Sequence, residues 1–184
     1  DQFDATMNYP LAKAALGFFV KDLDVEALRS VSGYRDVAPL DAAGFLAEVE
    51  RVLGLYDPAV RDAQLNLIGS HDTPRFLTAS GGDLAALEMA FLCLFTLPGA
   101  PCVYYGDEIG IEGGLDPDCR RAFPWEESSW DHVLRDHVKR LAALRASWCE
   151  AGFFEGKKQD EIEKLHAEEK LLAARVDEAI AQWE

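Results

Sequence analysis

Three short apolar runs, each followed at once by polar or charged residues and then by a stretch with helical spacing, constrain the fold of this chain more than any other feature. FDATMNY (Phe3 to Tyr9) alternates as a strand does and leads into PLAKAALGFFV. Ala63 to Gly69 is a second run, ending in His71 and Asp72, and DLAALEMAFLCLFTL follows it. APCVYYG (Ala100 to Gly106) is the third, with Asp107 and Glu108 directly after it and a helix-spaced segment from Trp130 onward. Strand and helix in alternation indicate a parallel sheet with helices packed outside it. The predicted class is therefore α/β, with three β/α units in residues 1–150. Three units are too few for a closed eight-stranded barrel, which takes about 250 residues. They form part of such a barrel or a small open sheet.

Local signals sharpen the boundaries. Pro10 is tolerated in a first helical turn. Ser30 to Pro39 reads as a loop. Asp41 is placed to cap a helix whose apolar positions are Phe45, Leu46, Val49, Val52 and Leu53, and Asp57-Pro58 ends it. Gly81-Gly82 turn the chain and Asp83 caps the next helix, which is apolar nearly all round and should be well buried. Pro98-Gly99 stop it. Ile109 to Trp125 form a long loop rich in Gly, Pro and Asp, a kind of segment that is usually functional or disordered. Trp130, Val133, Leu134, Val138, Leu141 and Leu144 mark an amphipathic helix. Lys157 to Glu184 lack Gly, Pro and Asn, and their apolar residues fall three or four apart, so the tail 151–184 is predicted to be helical over 157–184, with the start of a β-domain as the alternative.

Composition excludes some partners. With 33 acidic and 18 basic residues the net charge is -15, which disfavours nucleic acid, since binding phosphates needs a basic face. No apolar run spans a bilayer, and Asp1-Gln2-Phe3-Asp4 is no signal peptide. The four cysteines, Cys93, Cys102, Cys119 and Cys149, have no metal-ligand spacing and read as free, buried thiols. That suits a reducing compartment, and a cytoplasmic location is the expectation. Nothing in the sequence calls for a cofactor or a metal. The chain has no initiator Met, which leaves open an excised piece of a longer protein.

In parallel β/α proteins ligands collect at the carboxyl ends of the strands. Asn8, His71-Asp72, Asp107-Glu108 and the long loop all fall there. A His beside a carboxylate can grip vicinal hydroxyls; equally, the two residues can be a structural histidine and a helix cap. Arg75 either reaches the same site or forms an ion pair. Asp107 and Glu108 read as a catalytic carboxylate pair or as structural groups at the strand end. Asp116, Asp118, Arg120 and Arg121 crowd one loop, where a surface salt-bridge cluster is the plain alternative. Retaining glycoside hydrolysis needs two carboxylates about 5–5.5 Å apart across one bond, and these residues offer candidates.

NLIGSHDTPRFLT and LPGAPCVYYGDEIGIEGGLDPDCRRAFPW, with FDATMNYPL before them, resemble the α-amylase family of glycoside hydrolases, in particular its neopullulanase, cyclomaltodextrinase and maltogenic amylase group. The resemblance runs from about Phe3 to Ala146. It implies strands six to eight of a (β/α)8 barrel and an α-1,4-glucan as substrate. It implies that Asp72 is the carboxylate stabilising the oxocarbenium-like transition state, and that His71, Asp116 and Arg120 hold sugar. Arg75, Asp107 and Glu108 are left as support. The family's nucleophilic Asp and acid/base Glu lie on strands four and five, so by this resemblance the chain alone lacks the covalent machinery. Two rivals remain: a non-catalytic β/α fragment, and a family glucanotransferase or isomerase. Exposed sheet edges on such a fragment also invite self-association.

Overall fold

Short parallel strands at the centre, with helices packed against them, make up the described part of the chain. The computed structural model describes residues 5–149. Strands β1 (Met7–Asn8), β2 (Leu65–Leu67) and β3 (Ala100–Cys102) form one sheet in the order β1-β2-β3. Both pairings are parallel, with Met7 opposite Leu65 and Leu67 opposite Cys102. The ladders are shorter than the apolar runs suggest, because the flanking residues have other uses. Asn8 turns its side chain to the Leu11 amide at 3.3 Å and caps the first helix. Pro101 has no N–H to give to a ladder.

Helix α1 (Tyr9–Phe19) carries Pro10 in its first turn and buries Leu11, Ala12, Ala15 and Leu16. Helix α3 (Ala42–Leu53) starts where Asp41 accepts the Gly44 amide at 2.7 Å. It docks on α1 through Phe45, which stacks on Phe18 at 4.5 Å between ring centroids and meets Phe19 edge-on at 5.5 Å. Helix α6 (Leu84–Thr96), capped by Asp83 on the Ala86 amide at 3.1 Å, buries Leu87, Phe91 and Leu94 almost completely. Its other face is less covered than so apolar a sequence suggests, since Leu84 is 40% exposed. Helix α7 (His132–Trp148) buries Leu134, Val138 and Leu141.

Several expectations need correction. Ser30 to Pro39 contains a 3₁₀ turn, Ser32–Tyr34, preceded by a short helix α2 (Val25–Leu28). Asp57-Pro58 opens a short helix α4 (Pro58–Ala63), because Pro fits a first turn as readily as it ends a helix. A further turn of helix, α5 (Phe76–Ala79), follows the His71-Asp72 segment. Leu46 and Val133 carry the right spacing yet are exposed, at 57% and 72%. Helical period assigns a face but not what covers it. The four thiols are free; Cys119 is buried, Cys93 and Cys102 are half-buried, and Cys149 is exposed.

The chain divides into two compact units, residues 1–142 and 143–184; of the second, only the end of α7 and Cys149 are described. The predicted tail helix over 157–184 lies outside the described residues. Among those described, no helix is long and apolar enough to cross a membrane.

Candidate functional site

The segment after β2 is fastened from below before it presents any charge. Ser70 and Thr73 are buried, and the Thr73 hydroxyl accepts the Ser70 amide at 3.0 Å. The Ser70 hydroxyl lies 3.1 Å from the Tyr9 hydroxyl and accepts the Asp72 amide at 3.2 Å. His71 and Asp72 therefore stand on a rigid turn at the carboxyl end of a parallel strand. A hydroxyl on each side of a His-Asp pair is the sequence signal for this turn.

Four predicted residues come together on this turn and on the loop after β3. His71 Nε2 is 3.3 Å from Asp72 Oδ1. Arg120 Nη2 reaches the same oxygen at 3.4 Å, and Arg120 Nε lies 2.8 Å from Asp116 Oδ1. Arg120 Nε also donates to the His71 carbonyl at 2.9 Å, and the buried Cys119 thiol donates to that carbonyl at 3.3 Å. One guanidinium thus bridges two carboxylates and one backbone oxygen. The side chains of His71, Asp72, Asp116 and Arg120 are 53%, 57%, 56% and 45% exposed. Ion pairs this open contribute about 0–1 kcal/mol each, so hydroxyl groups of a ligand can replace them at little cost.

The loop that carries Asp116 and Arg120 is ordered by its own contacts. Arg121 grips Asp118 with two bonds of 2.8 Å, and the Gly114 amide donates to Asp118 Oδ2 at 2.7 Å. The Arg121 guanidinium beside Asp118 holds its carboxyl below the usual range, with the Gly114 amide adding to the effect. Tyr105 donates its hydroxyl to the Arg121 carbonyl at 2.8 Å. The loop folds so tightly that a Cβ on Gly113 would lie 2.6 Å from the Asp118 carbonyl oxygen and 2.8 Å from Cys119 Cα. The Asp116-Pro117 peptide is cis.

Arg75, Asp107 and Glu108 lie elsewhere. Arg75 is fully buried and pairs with Asp107, not Asp72, at 2.7 Å. Asp107 is 2% exposed, so the pair Asp107-Glu108 does not present two carboxylates to a ligand. Glu108 Oε2 is buried without a hydrogen-bond partner. Burial pushes the Asp107 carboxyl up to about 7, the Arg75 guanidinium pulls it back, and Glu108 adds to the rise. Asn8 is spent on capping α1 and on a 2.8 Å bond to Asn66. The surface cleft between α1 and α3 is lined by Lys13, Asp36, Glu48 and Arg51. These pair with one another as Lys13–Asp36 and Arg51–Glu48.

Comparison with known proteins decides the family. The profile of the alpha amylase catalytic domain matches residues 1–176. The chain belongs to the alpha-amylase family. It is 45% identical over 148 residues to a cyclomaltodextrinase of Geobacillus thermopakistaniensis, covering 80% of this chain and 22% of that protein. It is 41% identical over 146 residues to a maltogenic alpha-amylase of Bacillus acidopullulyticus, covering 79% and 22%. Among solved structures, the debranching enzyme of Nostoc punctiforme superposes with a TM-score of 0.72 at 42% identity, covering 78% of this chain and 29% of that one. The chain thus spans about a fifth of the length of the curated alpha-amylase relatives it matches. The parallel sheet flanked by helices is what a sector of this family's barrel consists of.

Proposed function

We propose that this chain is the glucan-gripping sector of a retaining glycoside hydrolase acting on α-1,4-glucans, corresponding to strands six to eight of the barrel. The observation that carries the proposal is the Arg120 bridge, which holds Asp72 and Asp116 together beside His71, half-exposed, at the carboxyl end of β2. A half-exposed set of neighbouring donors and acceptors suits the vicinal hydroxyls of a sugar ring. Asp72 supplies a fixed negative charge where positive charge develops on the ring in the transition state, and His71 and Arg120 donate to the hydroxyls flanking it. Asp116 keeps Arg120 oriented and accepts from sugar.

Hydrolysis by retention also needs a nucleophile and an acid/base. Asp107 is locked to Arg75 and Asp118 to Arg121, so neither is offered as a member of that pair. In this reading both groups come from the sector of the barrel that precedes these strands, and the substrate is an α-glucan shared between the two sectors. The proposed partner is thus a glucan, with no role for nucleic acid or membrane. The test is Asp72→Asn in a barrel that carries this sector together with both missing carboxylates. Losing one preorganised stabiliser should cost about 10²–10³ in kcat with the melting temperature unchanged. Turnover within a few-fold of the parent would show that Asp72 is structural.

A further inference from the structure

Arg75 is itself fully buried, yet it holds three segments that build the exposed surface. Its Nε donates to the Cys119 carbonyl at 3.1 Å, and its Nη1 to the Tyr105 carbonyl and to Asp107 Oδ1, both at 2.7 Å. Its backbone amide donates to the Gly113 carbonyl at 2.9 Å. The guanidinium lies over the Tyr104 and Tyr105 rings, 4.5 and 4.8 Å from their centroids. Cys119 immediately precedes Arg120, and Arg75 itself follows Asp72 by three positions. The buried guanidinium is therefore the joint between the turn that carries Asp72 and the loop that carries Arg120.

The joint is also braced from the sheet. Asp107 Oδ2 lies over Gly69, where a Cβ would come within 2.7 Å of it. Only glycine lets this carboxylate approach the first residues past β2. A buried ion pair is a poor way to gain stability, since apolar residues of similar volume often do as well or better. What a guanidinium supplies that an apolar side chain cannot is a rigid fork that fixes several acceptors at once. The contact that most needs such fixing is the one from Arg120 Nη2 to Asp72 Oδ1. At 3.4 Å it is already near the outer limit of a hydrogen bond, so a shift of the loop by a few tenths of an ångström breaks it.

We propose that Arg75 and Asp107 are positioning residues for glucan recognition, setting the spacing between Asp72 and Arg120 from beneath. The inference rests on the glucan-binding reading for its ligand, though not for its geometry. The experiment uses the full chain, its Arg75→Lys, Asp107→Asn and Gly69→Ala variants, and Leu94→Ala as a control that weakens the buried face of α6. Maltotetraose is the probe, and affinity, thermal unfolding and the amide NMR signals of Asp72 and Arg120 are read on each protein. Arg75→Lys keeps the charge and loses the fork. It should lower affinity about tenfold, the worth of one hydrogen bond to a charged group, and displace the Asp72 and Arg120 signals while those of β1, β2 and α6 stay in place. Gly69→Ala should do the same by pushing Asp107 from the other side. Leu94→Ala should lower the melting temperature and leave affinity alone. Affinities of the folded positioning variants within twofold of the parent, or losses that merely follow melting temperature through Leu94→Ala, would overturn the proposal. If the parent chain does not bind maltotetraose, the glucan reading fails by itself. The positioning claim is then decided by the NMR signals, which must move at Asp72 and Arg120 in Arg75→Lys or, should that variant not fold, in Asp107→Asn. Unmoved signals overturn it.

Discussion

Replacing Arg75 with Met keeps the volume of the side chain and removes its charge and its fork. In the native chain Arg75 is fully buried against Asp107, itself 2% exposed. Above neutral pH the substitution strands a buried carboxylate, an effect that typically costs about 3–5 kcal/mol. It also strips donors from the Cys119 and Tyr105 carbonyls. Below neutral pH the carboxylate can escape by taking a proton. Burial already raises the Asp107 carboxyl to about 7 with Arg75 present, and losing the guanidinium raises it further. A group whose pKa is higher folded than unfolded contributes stability that is complete below the unfolded value and is lost as pH rises through the folded one. The native chain therefore loses this contribution between about pH 4 and pH 7, and the Met variant loses more of it over a window reaching higher. Near pH 5 only neutral groups go unsatisfied in the variant, at about 1–3 kcal/mol. For a chain of this size the pH 8 penalty is a drop of about 10–15 °C in melting temperature, against roughly half that near pH 5. Thermal unfolding of both proteins across that range is the assay. A pH-independent gap, or one that widens as pH falls, would refute the reasoning.

The chain alone should not turn over a nitrophenyl maltoside; turnover above that of a denatured control, from material free of host amylase, would contradict the division of labour proposed for the barrel. Asp83→Ala removes the cap of α6 and should cost about 1 kcal/mol, read by urea unfolding. Leu94→Ala, at a fully buried position, should cost about 2–5 kcal/mol by the same measure. Gly113→Ala should disturb the Asp118–Arg121 loop and move the Arg120 amide signal, because a Cβ has no room there; an unchanged spectrum would show that the loop yields easily. Strands β1 and β3 each pair only with β2 among the described residues, so concentration-dependent association through their free edges is expected in sedimentation, and a compact monomer at all concentrations would refute it.

The architecture was legible because each of its signals is local. Asp41 and Asp83 as caps, Pro10 in a first turn and the apolar faces of α1 and α6 follow from one-dimensional spacing. The extent of the strands was not, since Asn8 and Pro101 sit inside strand-like runs but spend their backbone or side chain on other tasks. At the site, the turn motif and the loop motif each pointed to sugar chemistry through resemblance, and the structure brings His71, Asp72, Asp116 and Arg120 into one set of contacts. Arg75 stayed ambiguous between Asp72 and another partner. Its choice of Asp107, 32 positions away, depends on burial and on how β2 and β3 bring their following loops together, which no local pattern reveals. Asp107-Glu108 stayed open between a catalytic pair and structural groups for the same reason: adjacency in sequence says nothing about which carboxylate is turned inward.

The central claim is that the surface formed by His71, Asp72, Asp116 and Arg120 recognises an α-linked glucan. Its most direct test is titration of the isotope-labelled chain with maltotetraose and, separately, with the β-linked cellotetraose, following the amide signals residue by residue. The account predicts that maltotetraose shifts His71, Asp72, Asp116 and Arg120, saturably, while cellotetraose leaves them in place. Shifts centred elsewhere, no shift at all, or equal responses to both sugars would contradict it.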